Sequence, residues 1–134
     1  MIEWFPMELL GNHILSIDQF ERPDIEKIFS TSDLLLPYAK RERITRVLKG
    51  AILSNMFFEP STRTRISFGS AFNILGGEVR ETTGIEATSL AKGESLYDTS
   101  RVLSGYSDII VMRHHELSLI HITEPTRHRL ISYD

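Results

Sequence analysis

The side chains best suited to chemistry in this chain are concentrated in residues 55–65, where an apolar run ends in hydroxyl and guanidinium groups. This pattern predicts a strand, a turn and the N-terminus of a helix. A helix N-terminus attracts anions, because its first N–H groups are unpaired and the positive end of the helix dipole lies there. Ser61 can cap this helix, and the guanidinium groups of Arg63 and Arg65 match the geometry of phosphate or carboxylate oxygens.

Local chemistry alone favours a simpler interpretation of this turn. Ser61 is then an ordinary N-cap and the two arginines are solvated surface groups, as at most helices that begin with serine. An anion site therefore needs support from a second group elsewhere in the chain.

The elements around the turn predict an α/β fold, with a parallel sheet and flanking helices. A helix is expected from Pro23 to about Pro37, and its apolar stripe is expected in the core: Ile25, Ile28, Phe29, Leu35 and Leu36. We expect strands at residues 51–58, 78–82 and 108–112, a helix from the turn to Gly76-Gly77, a loop at residues 83–93 and a helix at residues 94–106.

In such a fold the carboxyl ends of the parallel strands lie at one edge of the sheet, where ligands bind. The turn with Ser61 follows the first strand, and Arg113 and His114 follow the third. The sequence therefore predicts that two arginine-bearing strand ends converge on one oxyanion site.

Composition limits the classes of function. With 134 residues, 41% of them hydrophobic and 25% charged, the chain is typical of a globular domain. Its net charge of −3 argues against nucleic-acid and acidic-membrane binding, and the absence of cysteine excludes disulfides and thiolate chemistry. The sequence has no recognisable signal peptide and no apolar run of membrane-spanning length, so a cytoplasmic protein is expected.

Four separated motifs resemble the carbamoyl-phosphate domain of the aspartate carbamoyltransferase family. They follow the family's order and spacing over about residues 12–114: FFEPSTRTR at 57–65, SLAKGE at 89–94, Asp98-Thr99 and VMRH at 111–114. The resemblance implies a truncated carbamoyl-phosphate-binding lobe of a two-lobe transcarbamoylase, with an N-terminal extension at residues 1–12, a partial domain at 13–114 and a non-family tail at 115–134. It also implies carbamoyl phosphate and L-aspartate as substrates, a homotrimer, and no metal or organic cofactor.

The resemblance implies roles for five residues in the carbamoyl phosphate site. Ser61, Thr62, Arg63 and Thr64 would hold the phosphate, and Arg63 would also stabilise charge on the departing phosphate. Thr64 and Arg113 would polarise the carbamoyl carbonyl oxygen as the aspartate amine attacks. Positioning and electrostatic stabilisation would then supply most of the catalysis, without an enzyme nucleophile.

Three further positions have implied roles. Ser89 and Lys92 would reach into a neighbouring subunit's site, although their spacing is one residue shorter than in some members, and the loop around them should be mobile when the chain is alone. Glu59 would link the two lobes through ion pairs whose partners lie beyond this chain. The simpler alternatives are a plain strand-end cation at Arg113 and a solvated loop charge at Lys92.

The sequence departs from the family after His114. Family members usually continue with proline, whereas His115 follows here, and residues 117–127 closely resemble the in-frame translation of a transposase-type sequencing adapter. We interpret the chain from about residue 115 onward as an assembly artefact. No metal site is predicted from the histidines of this region, because their spacing fits no standard ligand set: His114, His115, His121 and His128.

Two alternatives to an aspartate carbamoyltransferase fragment stay open. Ornithine carbamoyltransferase shares the turn at residues 61–65, although the Lys92–Glu94 loop and the Met112–His114 ending favour the aspartate enzyme. A non-catalytic anion-binding homologue is also compatible with the motifs. We expect the parent protein to be an enzyme and these 134 residues alone to be inactive, because the aspartate lobe is absent from the sequence.

The adapter interpretation predicts a break in the source DNA at about codon 115. Genomic DNA amplified without adapters should keep the present reading frame up to His114 and diverge from it immediately afterwards. Sequencing across this codon is the measurement, and an intact genomic frame through the tail would contradict the interpretation.

Overall fold

The computed structural model describes residues 11–84 and 89–114, with the backbone alone at residues 89 and 90. Within these ranges the helices are α1 (Arg22–Ala39), α2 (Thr62–Ile74) and α3 (Leu96–Ser104), and the strands are β1 (Ile52–Phe57), β2 (Glu78–Thr83) and β3 (Ile109–Arg113). Short 3₁₀ helices lie at Ile17–Gln19 and Ser89–Lys92. The predicted tail, most of the predicted N-terminal extension and residues 85–88 of the predicted loop lie outside the described residues. No helix in the described ranges is long and apolar enough to cross a membrane.

The three strands form a parallel sheet in the order β2-β1-β3. Phe57, the last residue of β1, is paired with Thr83 of β2 on one side and with Arg113 of β3 on the other. The predicted α/β fold with a parallel sheet is therefore confirmed. The carboxyl ends of all three strands lie side by side at the edge of the sheet where the turn after β1 begins.

Helices cover both faces of β1, and this explains why β1 is so well buried. Side chains alternate between the faces of a strand. Met56 packs with Leu96 of α3 on one face, whereas Asn55 lies on the opposite face, which α2 covers. Each residue at positions 53–58 is buried, as the continuous apolar run predicted.

α1 differs from its predicted form in two respects. It continues to Ala39 with Pro37 inside its last turn, because the Lys40 N–H still donates to the Leu36 carbonyl oxygen at 2.9 Å. The prediction of a core stripe is wrong: α1 has no buried residue, and Phe29 is 65% exposed. Among the described elements the main packing partner of α1 is the helix α2 rather than the sheet, so its apolar face has little to pack against.

The connection from α2 to β2 depends on Gly76. Its φ of +93° lies in the left-handed region that favours glycine. A Cβ at this position would lie 2.6 Å from the Cα of Arg46, so the chain also has no room for a side chain there. The predicted end of the helix at Gly76-Gly77 is confirmed, and it directs the chain into β2.

We predict that Gly76→Ala destabilises the fold more than Gly50→Ala. Both glycines have positive φ, +93° and +86°, so alanine in this conformation costs roughly 1–2 kcal/mol at either position. A Cβ at position 50 meets no atom within 4 Å, whereas a Cβ at position 76 overlaps the Arg46 backbone, and this overlap adds about 1–3 kcal/mol. Urea unfolding of both variants, followed by circular dichroism, measures the difference. Equal losses of stability would refute the steric argument.

Candidate anion-binding site

The N-terminus of α2 differs from those of α1 and α3. Its N-cap residue is Ser61, but the Ser61 side chain makes no capping hydrogen bond, so the predicted capping is wrong. In α3, by contrast, Ser95 Oγ accepts from the Asp98 N–H at 3.1 Å. Asp24 and Asp98 provide acid in the first turns of α1 and α3, whereas the first turn of α2 contains none. The positive dipole end of α2 is therefore not compensated by its own first turn.

Arg113 connects the end of β3 to the turn after β1. Its Nε donates to Glu59 Oε2 at 3.0 Å, and its Nη1 donates to Ser61 Oγ at 3.2 Å. The backbone reinforces this junction, because the Phe58 N–H donates to the Arg113 carbonyl oxygen at 3.0 Å. The two strand ends thus converge as the sequence predicted, and the Ser61 hydroxyl is turned toward Arg113 instead of capping α2.

Glu59 has an ion-pair partner within this chain, and its expected ion pairs with the second lobe stay a prediction. Its carboxylate pairs with Arg113, because both residues follow adjacent parallel strands. Both side chains are partly exposed, at 48% for Arg113 and 30% for Glu59, and pairs of this kind contribute at most about 1 kcal/mol to stability. The effect of the pair is on orientation, since it holds one edge of the guanidinium while Nη1 faces Ser61.

Arg65, considered as an anion ligand on local chemistry, already has a counter-charge within the fold. Its Nη1 donates to Oε2 of Glu81, a residue of β2. Glu81 was not singled out from the sequence, because the register that brings it opposite β1 is visible only in the structure. The guanidinium of Arg65 is therefore neutralised before any ligand arrives.

Arg63 is different from the other two arginines at this edge of the sheet. Its side chain is exposed, and within residues 11–84 and 89–114 it has no carboxylate partner. Thr62 and Thr64 are exposed as well. The first turn of α2 thus presents two hydroxyl groups, the N–H groups of the helix end and one cation that has no counter-charge among the described residues.

A pocket of about 370 Å³ opens at the same edge of the sheet. It is lined by residues 57–62, Arg65, Thr83 and Gly84, whereas Arg63, Thr64 and Arg113 are not among the described residues that line it. Thr83 and Gly84 were not predicted as site residues. The sequence could have indicated them, because they directly follow the predicted second strand at residues 78–82. In the structure the pairing of Phe57 with Thr83 places them at this edge of the sheet.

Ser89 and Lys92 are the first and last residues of the second 3₁₀ helix. The Lys92 side chain is exposed, and in the part of the chain that the structure describes it makes no hydrogen bond or ion pair with the turn after β1. The side chain of Ser89 lies outside the description. Contacts of these two residues with a neighbouring subunit stay a prediction.

The arrangement suits a small anion with several oxygen atoms. Unpaired N–H groups at a helix end, hydroxyl groups and guanidinium groups all donate hydrogen bonds, and such donors bind phosphate or carboxylate. A volume of about 370 Å³ is at the small end of the range for ligand pockets. In the described ranges no group of three His, Asp or Glu side chains is placed to hold a metal ion.

Comparison with known families identifies the domain. The model of the aspartate/ornithine carbamoyltransferase carbamoyl-P binding domain matches residues 12–131. The chain belongs to this family. The match runs through residues 115–131, which we interpreted from the sequence as a non-family tail, and that interpretation stays a prediction.

Curated relatives of this carbamoyl-P binding domain are named aspartate carbamoyltransferase catalytic subunit. The relative from Saccharophagus degradans is 70% identical over 108 residues, which are 81% of this chain and 32% of the relative. The relative from Archaeoglobus fulgidus is 51% identical over 102 residues, 76% of this chain and 34% of the relative. The chain therefore spans about a third of the length of the curated relatives it matches.

Solved structures share the fold of the carbamoyl-P binding domain. Aspartate transcarbamoylase from Trypanosoma cruzi in complex with carbamoyl phosphate has a TM-score of 0.76 and 36% identity, covering 88% of this chain and 39% of that chain. The catalytic subunit of M. jannaschii aspartate transcarbamoylase has a TM-score of 0.73 and 42% identity, covering 80% of this chain and 36% of that chain. The resemblance noted from the four sequence motifs is confirmed.

We predict that Ser61→Ala and Ser95→Ala have different effects on the stability of this domain. Ser95 caps α3, and loss of such a cap costs about 1 kcal/mol, whereas Ser61 caps nothing and Ser61→Ala should cost less than about 0.5 kcal/mol. Chemical unfolding of the two variants beside the wild type measures this. A loss at Ser61 as large as that at Ser95 would show that the hydroxyl caps α2 after all.

Proposed function

We propose that this domain binds carbamoyl phosphate and that its full-length parent is an aspartate carbamoyltransferase. The parent reaction transfers the carbamoyl group to L-aspartate, giving N-carbamoyl-L-aspartate and phosphate, a step of pyrimidine biosynthesis. Relatives bearing this name support the proposal, as do T. cruzi enzymes solved with carbamoyl phosphate, aspartate or carbamoyl aspartate. The cytoplasmic location predicted from the sequence is part of the same proposal.

The observation that carries the proposal is the contact between Arg113 and the N-cap of α2. Two segments 52 residues apart supply a guanidinium and a hydroxyl group within 3.2 Å of each other, at the end of a helix with no acid in its first turn. Arg63 adds a cation with no carboxylate partner in the described residues. A phosphate bound there would satisfy the orphan N–H groups and compensate this charge.

The proposed mechanism assigns the phosphate to the helix end. Ser61, Thr62, Arg63 and Thr64 donate hydrogen bonds to the phosphate oxygens, and Arg63 stabilises the charge that develops as phosphate leaves. Arg113, held by Glu59 at 3.0 Å, and Thr64 donate to the carbamoyl carbonyl oxygen. These donors stabilise the oxyanion of the tetrahedral intermediate more than they stabilise the substrate.

The bond changes need no enzyme nucleophile. The aspartate amine attacks the carbamoyl carbon, a carbon–nitrogen bond forms, and the carbonyl π electrons move onto oxygen. The intermediate then collapses, the carbon–oxygen bond to phosphate breaks, and the amine loses a proton. Holding the two substrates in line contributes to the rate by removing the entropy cost of their encounter.

The proposal extends to the assembly of the parent. We propose a homotrimer in which Ser89 and Lys92 act in a neighbouring subunit's site, as the resemblance of residues 89–94 to the family implies. The site of aspartate is proposed to lie in the parent beyond these 134 residues, so that the chain alone binds carbamoyl phosphate without turning it over.

Arg63→Ala tests the proposed phosphate site. Loss of a charge-assisted hydrogen bond worth about 1.5–3 kcal/mol should weaken carbamoyl phosphate binding to the 134-residue chain by at least about tenfold. The free energy of unfolding should be unchanged or rise by up to about 0.5 kcal/mol, because a cation at the positive end of a helix dipole is removed. Isothermal titration and urea unfolding measure the two quantities, and the same substitution should abolish turnover in the full-length parent.

Arg80→Ala is the matched control. Arg80 lies on β2 and pairs with Glu78, and both side chains are well exposed, so the substitution removes an equal charge away from the helix end. Wild-type binding is expected for this variant. Unchanged binding by Arg63→Ala would overturn the assignment of Arg63 to the phosphate.

Two further outcomes test the rest of the proposal. Robust formation of carbamoyl-aspartate by the 134 residues alone would overturn the expected inactivity of the chain. Preference of the full-length parent for ornithine would favour ornithine carbamoyltransferase.

A further inference from the structure

A three-residue network connects β1, β2 and the first turn of α2 beneath the candidate site. Asn55 Nδ2 donates to the Arg65 carbonyl oxygen at 2.9 Å and to Glu81 Oε1 at 3.3 Å. The other oxygen of the same carboxylate, Oε2, accepts from Arg65 Nη1. Asn55 of the central strand β1 thus holds the backbone of Arg65, and Glu81 of β2 holds its side chain.

The network is anchored in the interior by Asn55 and reaches the surface at Glu81. Asn55 is 0% exposed, and its two acceptors determine how its amide is oriented, since only the NH₂ group can donate. Asn55 and Glu81 are direct partners in the β1–β2 pairing. The side chains of Arg65 and Glu81 are 26% and 37% exposed, so their ion pair lies at the surface and is held there through the buried Asn55.

Gly69 allows α2 to approach this network closely. A Cβ at position 69 would lie 3.1 Å from Glu81 Oε1 and 3.6 Å from Asn55 Nδ2. Glycine inside a helix is unfavourable by roughly 1 kcal/mol relative to alanine. The residue is buried one turn after Arg65, so a side chain at position 69 would press on the carboxylate of Glu81.

We propose that Asn55 and Glu81 are positioning residues for carbamoyl phosphate, acting through Arg65, and this inference rests on the proposed function. They hold the first turn of α2 so that the N–H groups and hydroxyls of residues 61–64 point at the phosphate. Arg65 is a structural clamp and not a phosphate ligand, although it stands in the same turn as Arg63 and lines the pocket.

The direction in which Glu81→Gln changes anion affinity shows whether Arg65 is a structural clamp or a phosphate ligand. Glu81→Gln removes a negative charge near the anion site, and simple electrostatics then predicts tighter binding of an anion. If Arg65 were a phosphate ligand, this substitution would also release it toward the phosphate and strengthen binding further. If Arg65 is a clamp, the same substitution loosens the first turn of α2 and weakens binding.

The experiment is a double-substitution cycle on the 134-residue chain, with carbamoyl phosphate and inorganic phosphate as probes in isothermal titration. The clamp predicts that Glu81→Gln and Arg65→Gln each weaken binding by about three- to tenfold, the size expected when a charge-assisted hydrogen bond becomes neutral. It further predicts that the double variant is no weaker than either single variant, because both changes break one interaction. Tighter binding by Glu81→Gln, or additive losses in the double variant, would overturn the proposal.

Glu78→Gln is the matched control, because it removes the same charge from the same strand at a carboxylate whose ion-pair partner among the described residues is the exposed Arg80. The clamp predicts unchanged or slightly tighter binding for this variant. A loss equal to that of Glu81→Gln would mean that the effect comes from the charge of β2, and the positioning role would be wrong.

Amide hydrogen exchange gives a readout independent of ligand. The N–H groups of residues 66–69 donate to the carbonyls of residues 62–65 in a regular helix, so Glu81→Gln should speed their exchange while residues 71–74 at the end of α2 stay as in the wild type. Uniformly faster exchange, or none, would refute the clamp. If the wild-type chain binds neither probe, the proposed function fails, and the exchange result still decides the clamp.

Discussion

The parallel pairing of β1 with both of its neighbours is the interaction on which the core and the candidate site depend. The register that sets Phe57 opposite Thr83 and Arg113 also sets Asn55 opposite Glu81. A slip by one residue would exchange the two faces of β1. Asn55 would then enter the apolar cluster beside α3, and Met56 would meet the carboxylate of Glu81. The register of β1 therefore determines both the packing of the core and the placement of the polar groups.

The fold and the convergence of the two strand ends could be predicted from the sequence, because both follow from short-range patterns. The continuous apolar run of β1 predicts a strand covered on both faces, and parallel strands place Ser61 and Arg113 at one edge. The fate of α1 could not be predicted in the same way. Its apolar spacing is correct for a helix, but spacing does not say whether another element is present to cover it, and Phe29 is largely exposed.

Local chemistry does not distinguish the two arginines of the turn, although the family resemblance gives a role to Arg63 alone. Arg63 and Arg65 are two residues apart and chemically identical, and only the register of β2 shows that Glu81 neutralises the second of them. Ser61 is a similar case, because its hydroxyl was assigned to the helix end by composition and is in fact directed at a guanidinium 52 positions later. Long-range partners decide such roles, and local propensity carries no information about them.

The uncompensated first turn of α2 has a consequence for the energetics of folding. Among the described residues the Arg63 guanidinium at the positive end of the dipole has no carboxylate partner, so an anion that binds there acts as its counter-ion. An anion at 100 times its dissociation constant adds about 2.7 kcal/mol to stability by mass action, a large part of the roughly 5–15 kcal/mol typical of a whole domain. The concentration of this anion in solution would then set not only how much of the domain is occupied but also how strongly it resists unfolding.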